Sequence, residues 1–407
     1  MRQAAGGKKW NVVLAWTALG VLLFALGLDV HFGPGILETI STDSVRAHGD
    51  FNTFWHSAAA LWEGENIYDT GAEAENRNPP FWTLLISPLG LLKPLLAYRV
   101  FSMLSVIMAM GYLTWMAGEV RLSPRWAVLG TALLLLSSPL LKTLALGQIY
   151  PILTTGLVAA WISDRRGRST VSGGVLGLVV ALKPSLAPIV LWPLVRRKWK
   201  AFLAALGSAG AATLVGAVVA GPGATLDWVR LLSDETVNPF WDNASLSSAA
   251  ARLFTDNESA RPIMTLPWMV PLAYALGIGT IVFTAAKVRH GPEAGLWALV
   301  AASLLASPIA WHNYLVLLGP GILLLLARGW AAPGFLLLAL QAIPPYWPAL
   351  WAGKDTVLAT LALTLYFYIL AAHWLVLVLV AGRQDAGRKP RASVRSRESL
   401  RDPDPPR

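Results

Sequence analysis

Residues 201–220 read Ala-Phe-Leu-Ala-Ala-Leu-Gly-Ser-Ala-Gly-Ala-Ala-Thr-Leu-Val-Gly-Ala-Val-Val-Ala, without a single charge. About 20 such residues, coiled as a helix, cross the hydrocarbon core of a bilayer. Apolar runs of about 15 to 25 residues recur along the whole chain. Of its 407 residues 55% are hydrophobic and only 14% charged, with a mean hydropathy of +0.53. An average soluble domain carries about 25% charged residues, so a soluble enzyme is excluded. In lipid every backbone polar group must be satisfied within the protein, and runs of this length do so as helices. The expected fold class is therefore an all-α integral membrane protein. The chain has no cysteine, which excludes disulfides, thiolate metal sites and a cysteine nucleophile. A net charge of +10 would point to nucleic acid in a soluble protein. In a membrane protein its distribution matters more than its sum, and no nucleic-acid partner is expected.

Short basic clusters punctuate the apolar runs: Lys8 and Lys9; Arg121 and Arg125; Arg165, Arg166 and Arg168; Arg196, Arg197, Lys198 and Lys200; Lys287 and Arg289; Arg328; and the tail from Arg383. The positive-inside rule assigns each to the cytoplasm. The intervening loops, 31–79, 221–262 and 344–356, then lie outside, and they hold most of the acidic residues. The chain must go out and return between clusters, which predicts hairpins at 126–145/148–162, 171–182/185–195, 201–220/266–286, 293–308/313–327 and 330–344/357–381. With 11–30 outward and 95–117 inward, the total is about 12 spans. The arms of 171–195 are too short for full crossings. They are expected to be two broken helices meeting at Lys183-Pro184, because proline breaks a helix and irregular backbone at membrane depth is tolerated where it lines a cavity. Residues 1–382 form one transmembrane domain, with 31–79 as first and 221–262 as second outer loop. The tail 383–407, rich in proline and basic residues and lacking apolar periodicity, is expected to be disordered and cytoplasmic, in contact with membrane lipid.

Within the first outer loop Phe51, Phe54, Trp55, Ala58, Leu61 and Trp62 recur at three and four. This spacing predicts a helix in the outer interface, stopped by Gly64. Asp50 stands where either an N-cap or a reactive carboxylate would stand. The following stretch, from Asn78-Pro79-Pro80-Phe81-Trp82 to Lys93-Pro94, is too short to span and is expected to pack beneath that helix.

Under this topology Asp50, Gln148, Lys183 and His312 gather at the outer side in apolar surroundings, where ionisable residues usually line a cavity or pathway. Each has an ordinary structural explanation, as a cap, a snorkelling cation or part of an aromatic belt; four on one side favour a site. A carboxylate with cations nearby suits group transfer from a lipid-linked phosphate: the carboxylate removes a hydroxyl proton and the cations stabilise the leaving phosphate. There is no Gly-x-x-x-x-Gly-Lys loop and no pair of aspartates spaced to hold a nucleotide-bound metal, so neither nucleotide nor metal cofactor is expected. A lipid-linked sugar flippase or transporter is the non-enzyme alternative. It would be expected to show midplane charges and repeat symmetry, and neither is evident.

Several segments, in order, resemble glycosyltransferase family 87, integral-membrane transferases of the GT-C fold that use polyprenyl-phosphate sugars. They are Gly49-Asp50-Phe51 through Gly64-Glu65-Asn66-Ile67-Tyr68; Asn78-Pro79-Pro80-Phe81 with Ser87-Pro88-Leu89; Ser138-Pro139 and Gly147-Gln148; Gly173-Gly174-Val175-Leu176-Gly177 through Lys183-Pro184 to Arg196-Arg197-Lys198-Trp199; Asn243-Ala244-Ser245-Leu246; and Ser307-Pro308-Ile309-Ala310-Trp311-His312. The resemblance implies an inverting transfer at the outer face of a bacterial cytoplasmic membrane, with Asp50 as general base. It places Lys183, His312, Gln148, Asn243, Ser245 and Trp311 at the substrates. The donor it implies is a polyprenyl-phosphate sugar and the acceptor a glycolipid or cell-envelope glycan. The pattern looks most like α-1,2-mannosyltransferases that extend phosphatidylinositol mannosides, with arabinofuranose transfer the related alternative. Asn78, where many relatives have tyrosine, and Asn313, where a second histidine is expected, are departures that bear on the sugar and acceptor.

Overall fold

The computed structural model describes residues 16–23, 25, 34–233, 236–289, 292–344 and 354–383. Parts of the expected 11–30 anchor and of the 344–356 loop, and the tail beyond Arg383, lie outside the described residues. Every regular element described is a helix, apart from an isolated antiparallel bridge between Asn243 and Trp311. The first outer loop holds α1 (Pro34–Ser41) and α2 (Gly49–Glu63). Next come α3 (Pro80–Ile86), running into a 3₁₀ turn at Ser87–Leu91, and α4 (Pro94–Glu119). Then follow α5 (Pro124–Leu135), α6 (Ser138–Leu146), α7 (Tyr150–Arg165), α8 (Ser169–Leu182), a 3₁₀ segment at Pro184–Val190, α9 (Leu191–Val195) and α10 (Trp199–Ser233). The rest is α11 (Leu246–Phe254), α12 (Met269–Val288), α13 (Pro292–Ala306), a 3₁₀ segment at His312–Leu318, α14 (Gly319–Ala327), α15 (Ala331–Gln341), α16 (Val357–Leu363) and α17 (Leu365–Arg383).

Helices α4, α10, α12 and α17 are each long and apolar enough to cross a membrane, and α5 with α6, bent by 44° at residues 136–137, would make a fifth crossing. The expected crossings at 171–182/185–195, 293–308/313–327 and 330–344 fall on apolar helices of 10–17 residues, and that at 148–162 on the 16-residue α7, all shorter than a full span. Burial follows composition. Residues 294–305 of α13 are buried on all sides, as expected of a helix apolar all round. Helices α10 and α12 leave Leu214, Val218, Ile278 and Val282 exposed, the face such helices turn to lipid.

Polar contacts sort the molecule into two ends. At one end Arg165 bridges Glu119 (3.3 Å) and Glu293 (2.5 Å), Arg166 reaches Glu119 (2.8 Å), and Arg328 reaches Glu293 (2.6 Å). There too Asp164 pairs with Arg196 at 2.9 Å and with Lys198. At the other end Asn66 donates to Asp227 (2.7 Å), the Trp228 indole donates to the Arg77 carbonyl (3.3 Å), and the Arg261 amide donates to the Lys354 carbonyl (3.0 Å). Residues of the basic clusters thus meet on one side, and the three loops expected outside meet on the other.

The segment 169–195 begins beside Arg168 and ends beside Arg196, which touches Asp164. It therefore enters from the basic end and returns to it, its halves meeting at Lys183. Two glycines permit this. A Cβ on Gly173 would lie 1.9 Å from the Ala201 carbonyl oxygen, and one on Gly177 2.1 Å from that of Ala205. α8 thus packs backbone to backbone on α10, as small-residue faces do in membranes, and Ser208 locks the pair by donating to the Gly174 carbonyl (2.8 Å). Gly177→Val is expected to cost about 1–3 kcal/mol by overpacking and to lower the thermal midpoint followed by tryptophan fluorescence in detergent. Gly174→Ala, with no atom within 4 Å of the added carbon, is expected to leave that midpoint unchanged or raised.

Candidate active site

Helix α2 is held from two sides. Phe51, Phe54 and Ala58 are buried, and the indoles of Trp55 and Trp62 donate to the carbonyls of Leu92 (3.0 Å) and Ser87 (2.7 Å). The segment 80–92 therefore packs beneath α2, and these two tryptophans grip it. The helix stops at Gly64, whose φ is 73°. Its N-cap is His48, which makes no side-chain capping bond, and Asp50 lies inside the first turn. The capping role open to Asp50 in the sequence is thus corrected. A carboxylate in the first turn is favoured by the helix dipole and is left available for other partners.

Its partner is Gln148, whose Nε2 donates to Asp50 Oδ2. Both line a cavity of about 200 Å³ in which Gln148, from the turn between α6 and α7, meets five other segments. Helix α2 supplies Asp50, Thr53 and Phe54, and the first loop supplies Glu75, Arg77, Asn78 and Pro79. The re-entrant turn supplies Lys183, Pro184 and Ser185; the outer end of α10 supplies Trp228 and Leu232; and the segment after α13 supplies Ser307 to Ile309, Trp311 and Tyr314. The α10 residues reach the cavity because Gly221 (φ 85°, ψ 163°) and Pro222 kink that helix. Burial raises the Asp50 carboxyl above the usual carboxylate range, opposed by the Gln148 hydrogen bond and by the charges of Lys142 and Lys183.

The cations near Asp50 differ. Lys142 forms an ion pair with Asp242. Lys183 donates to the Tyr314 hydroxyl (3.2 Å) and lies 4.9 Å from that ring's centroid. No carboxylate pairs with it among the described residues. Arg77, at the mouth, reaches Glu75 at 3.2 Å. Arg99 pairs with Asp43, Arg230 with Asp227, and buried Arg252 donates to the carbonyls of Pro239, Phe240 and Asn243. Lys183 is thus the cavity cation free to meet an anion. No three His, Asp or Glu side chains gather as a metal-holding group among the described residues.

Of the residues expected at the substrates, the structure brings Gln148, Lys183 and Trp311 to the cavity with Asp50 and leaves His312, Asn243 and Ser245 outside its wall. His312 is buried, its amide donating to the Asp242 carbonyl (2.9 Å) and its ring meeting Tyr366 edge-on at 4.6 Å. Asn243 donates to the carbonyls of Asn238 and Pro308 (3.1 Å each) and accepts from the amides of Ser245 (3.1 Å) and Ala310 (2.9 Å). Ser245 caps α11 through the Ser248 amide (3.2 Å) and donates to the Pro308 carbonyl (3.1 Å). Both clasp the second outer loop to 308–311, which seats Trp311 in the wall. Sequence reasoning missed Tyr314 and Asp242, although each lies one or two residues from a motif position. Trp228, inside the outer loop, gave no periodic signal.

A profile described as Glycosyltransferase family 87 matches residues 77–308. The chain is 26% identical over 321 residues to a polyprenol-phosphate-mannose-dependent alpha-(1-2)-phosphatidylinositol pentamannoside mannosyltransferase of Mycolicibacterium smegmatis, covering 70% of this chain and 74% of that one. It is 26% identical over 302 residues to a polyprenol-phosphate-mannose-dependent alpha-(1-2)-phosphatidylinositol mannoside mannosyltransferase of Mycobacterium tuberculosis, covering 68% of each. An alpha-(1->3)-arabinofuranosyltransferase of Corynebacterium glutamicum is 28% identical over 158 residues, and the match spans 37% of each chain. The crystal structure of ArnT from Cupriavidus metallidurans bound to undecaprenyl phosphate aligns with a TM-score of 0.37 at 16% identity, covering 93% of this chain and 78% of that one.

Ser245→Ala is expected to lose about 1 kcal/mol of stability through the cap while leaving turnover and donor KM within about twofold. Thermal unfolding beside steady-state kinetics checks this, and a raised KM would put Ser245 at the substrate. With the match covering more than half of its length, this multi-pass membrane chain belongs to glycosyltransferase family 87.

Proposed function

We propose that the protein transfers mannose, in α-1,2 linkage and with inversion, from a polyprenyl phosphate to a glycolipid or cell-envelope glycan at the outer face of the bacterial cytoplasmic membrane. The observation that carries this reading is one cavity holding a carboxylate with an open oxygen, Asp50, and a cation without a carboxylate partner, Lys183. The acceptor hydroxyl gives its proton to Asp50 as its oxygen bonds to the anomeric carbon. The bond from that carbon to the phosphate oxygen breaks, and the phosphate keeps the electron pair and gains charge beside Lys183. A cavity of about 200 Å³ is below the roughly 300–1,000 Å³ of drug-sized ligand sites. It suits a head group, with the polyprenyl chain lying outside it. Mannose is favoured because the two mannosyltransferases match 70% and 68% of this chain and the arabinofuranosyltransferase 37%. The GT-C architecture implied by the sequence resemblance is part of the same reading.

Membranes containing the protein, given radiolabelled polyprenyl-phosphate mannose or polyprenyl-phosphate arabinofuranose, are expected to label extracted glycolipid with mannose. Arabinose labelling would reassign the sugar. Transbilayer movement of the lipid without transfer would replace the enzyme by a flippase. Asp50→Asn keeps an oxygen for Gln148 but cannot accept the proton, and is expected to lower kcat about 10²-fold or more. Lys183→Ala is expected to raise donor KM about 10-fold or more, the scale of a hydrogen bond to a charged group. If both variants behave as wild type, the cavity is not the site.

The orientation is testable because the chain has no native cysteine. In intact cells an impermeant thiol reagent is expected to modify Ser44→Cys and Glu258→Cys, both exposed positions. Ser169→Cys is expected to react only after lysis. The reverse pattern would invert the topology.

A further inference from the structure

Asp50 and Gln148 are 98 residues apart and come from different elements, yet the surrounding contacts all fix their relative position. α6 ends just before Gln148, and the last carbonyls of a helix need partners from outside it. Two come from side chains. The Tyr98 hydroxyl donates to the Leu144 carbonyl (2.9 Å), and His48 Nδ1 bonds the Ala145 carbonyl (2.8 Å). The two rings stack at 3.4 Å with 13° between their planes. His48 occupies the N-cap position of α2, so one end of α6 and the start of α2 are tied together. Between them Gly147 adopts φ 69°, and a Cβ there would fall 2.5 Å from the Cβ of Phe51. This position admits no side chain, and the backbone before Gln148 rests directly on the residue after Asp50. The Gln148 amide closes the turn on the Thr143 carbonyl (2.9 Å), aiming its side chain at Asp50.

From this geometry we infer that Gln148 is a positioning residue: by donating to Asp50 Oδ2 it fixes the carboxylate so that Oδ1 faces the acceptor hydroxyl, and it does not bind the sugar. The inference rests on Asp50 being the base. Oδ1 takes no hydrogen bond from any described residue, while Oδ2 is occupied by Gln148. Held this way, the carboxylate presents one oxygen in one orientation, the arrangement that proton transfer in a bound complex requires. The tie from His48 through Gly147 sets where Gln148 stands.

Removing the donor should also change the proton affinity of Asp50, because a hydrogen bond to the ionised form favours that form. The ionisable groups facing Asp50 are Lys142 from α6, Tyr150 from α7, Lys183 from the re-entrant turn, Tyr314 from the segment after α13, and Glu75 and Arg77 from the first loop. None of them is altered by a change at Gln148. The sign is fixed: the base works ionised, losing the Gln148 bond disfavours ionisation, and the acidic limb of the pH profile must move to higher pH.

The experiment compares wild type with Gln148→Met, similar in length but without the donor, and Gln148→Glu, which places a second carboxyl against Asp50. It follows polyprenyl-phosphate-mannose turnover across pH. Gln148→Met is expected to lower kcat about 10-fold, leave donor and acceptor KM within about twofold, and shift the acidic limb upward. Gln148→Glu is expected to shift it further, since neighbouring carboxylates raise each other's pKa. An unmoved limb with a raised KM would make Gln148 a substrate ligand, and unchanged kinetics would leave it no role; either overturns the inference. Asp50→Asn, run alongside, separates the two readings. If it transfers normally the base assignment fails and the inference with it, whereas if it is inactive while Gln148→Met is normal, only the inference fails. Should Gln148→Met not fold, Gln148→Glu supplies the same pH readout.

Discussion

In hydrocarbon an unsatisfied backbone amide or carbonyl costs several kcal/mol, so a chain can reverse at membrane depth only where the protein replaces what water would supply. The reversal at Lys183-Pro184 meets that condition. The Lys183 amide completes α8 by donating to the Val179 carbonyl (3.0 Å), and the Lys183 carbonyl accepts the Leu186 amide (2.9 Å). Proline follows, with no amide of its own to satisfy. The backbone contact of Gly173 and Gly177 with α10 seats the first of the two short arms, α8, against that helix. Because the chain turns there, a lysine that would otherwise lie within a spanning helix stands in the wall of a polar cavity. The outer loops then fold over it, α2 from one side and the kinked end of α10 from the other.

The charges follow the same economy. A buried ion pair breaks even only when its remaining lone pairs and protons are also bonded, and buried Asp164 meets this by pairing with both Arg196 and Lys198, while the more exposed Glu119 and Glu293 are shared among arginines. At the cavity the arrangement is left incomplete. Lys142 is matched to Asp242, whereas Lys183 has a tyrosine hydroxyl and ring. A cation without an ion-pair partner among the described residues, in a wall that also carries Asp50, Glu75 and Arg77, is a place for an anion to complete.

How much of this could be read beforehand depended on the kind of signal. Span length and basic clusters are long-range, redundant features, and they foretold which loops meet and where the broken helices 171–195 turn. Asp50, Gln148 and Lys183 were legible as cavity residues because a polar group in apolar surroundings is conspicuous wherever it points, whereas Trp311 came only from the family resemblance. The same rule picked out His312, which the structure buries next to the wall residue Trp311, against Tyr366 and the Asp242 carbonyl. Asn243 and Ser245 bond backbone carbonyls across a loop junction, a role that no local pattern announces. The capping reading placed Asp50 two positions too early, because helix boundaries are the least certain part of a periodicity argument. Trp228 reaches the cavity only through the kink at Gly221-Pro222, and the sequence marks the kink but not its direction.

Asp50 and Asp242 show how environment divides labour between identical groups. Asp242 pairs with Lys142 and also accepts the His312 amide at Oδ1 (3.3 Å). Both its oxygens are engaged, and its side chain is 5% exposed. A proton added there would break an ion pair and loosen the junction that seats Trp311. Asp50 has one oxygen engaged and one open, on a helix braced by buried aromatics and beside a glycine that admits no side chain. Its ionised form is disfavoured by burial and favoured by Gln148, Lys142 and Lys183. These opposed influences meet on a carboxylate that keeps one oxygen open to the cavity. Of the two, only Asp50 keeps an oxygen open for a proton donor that enters the cavity.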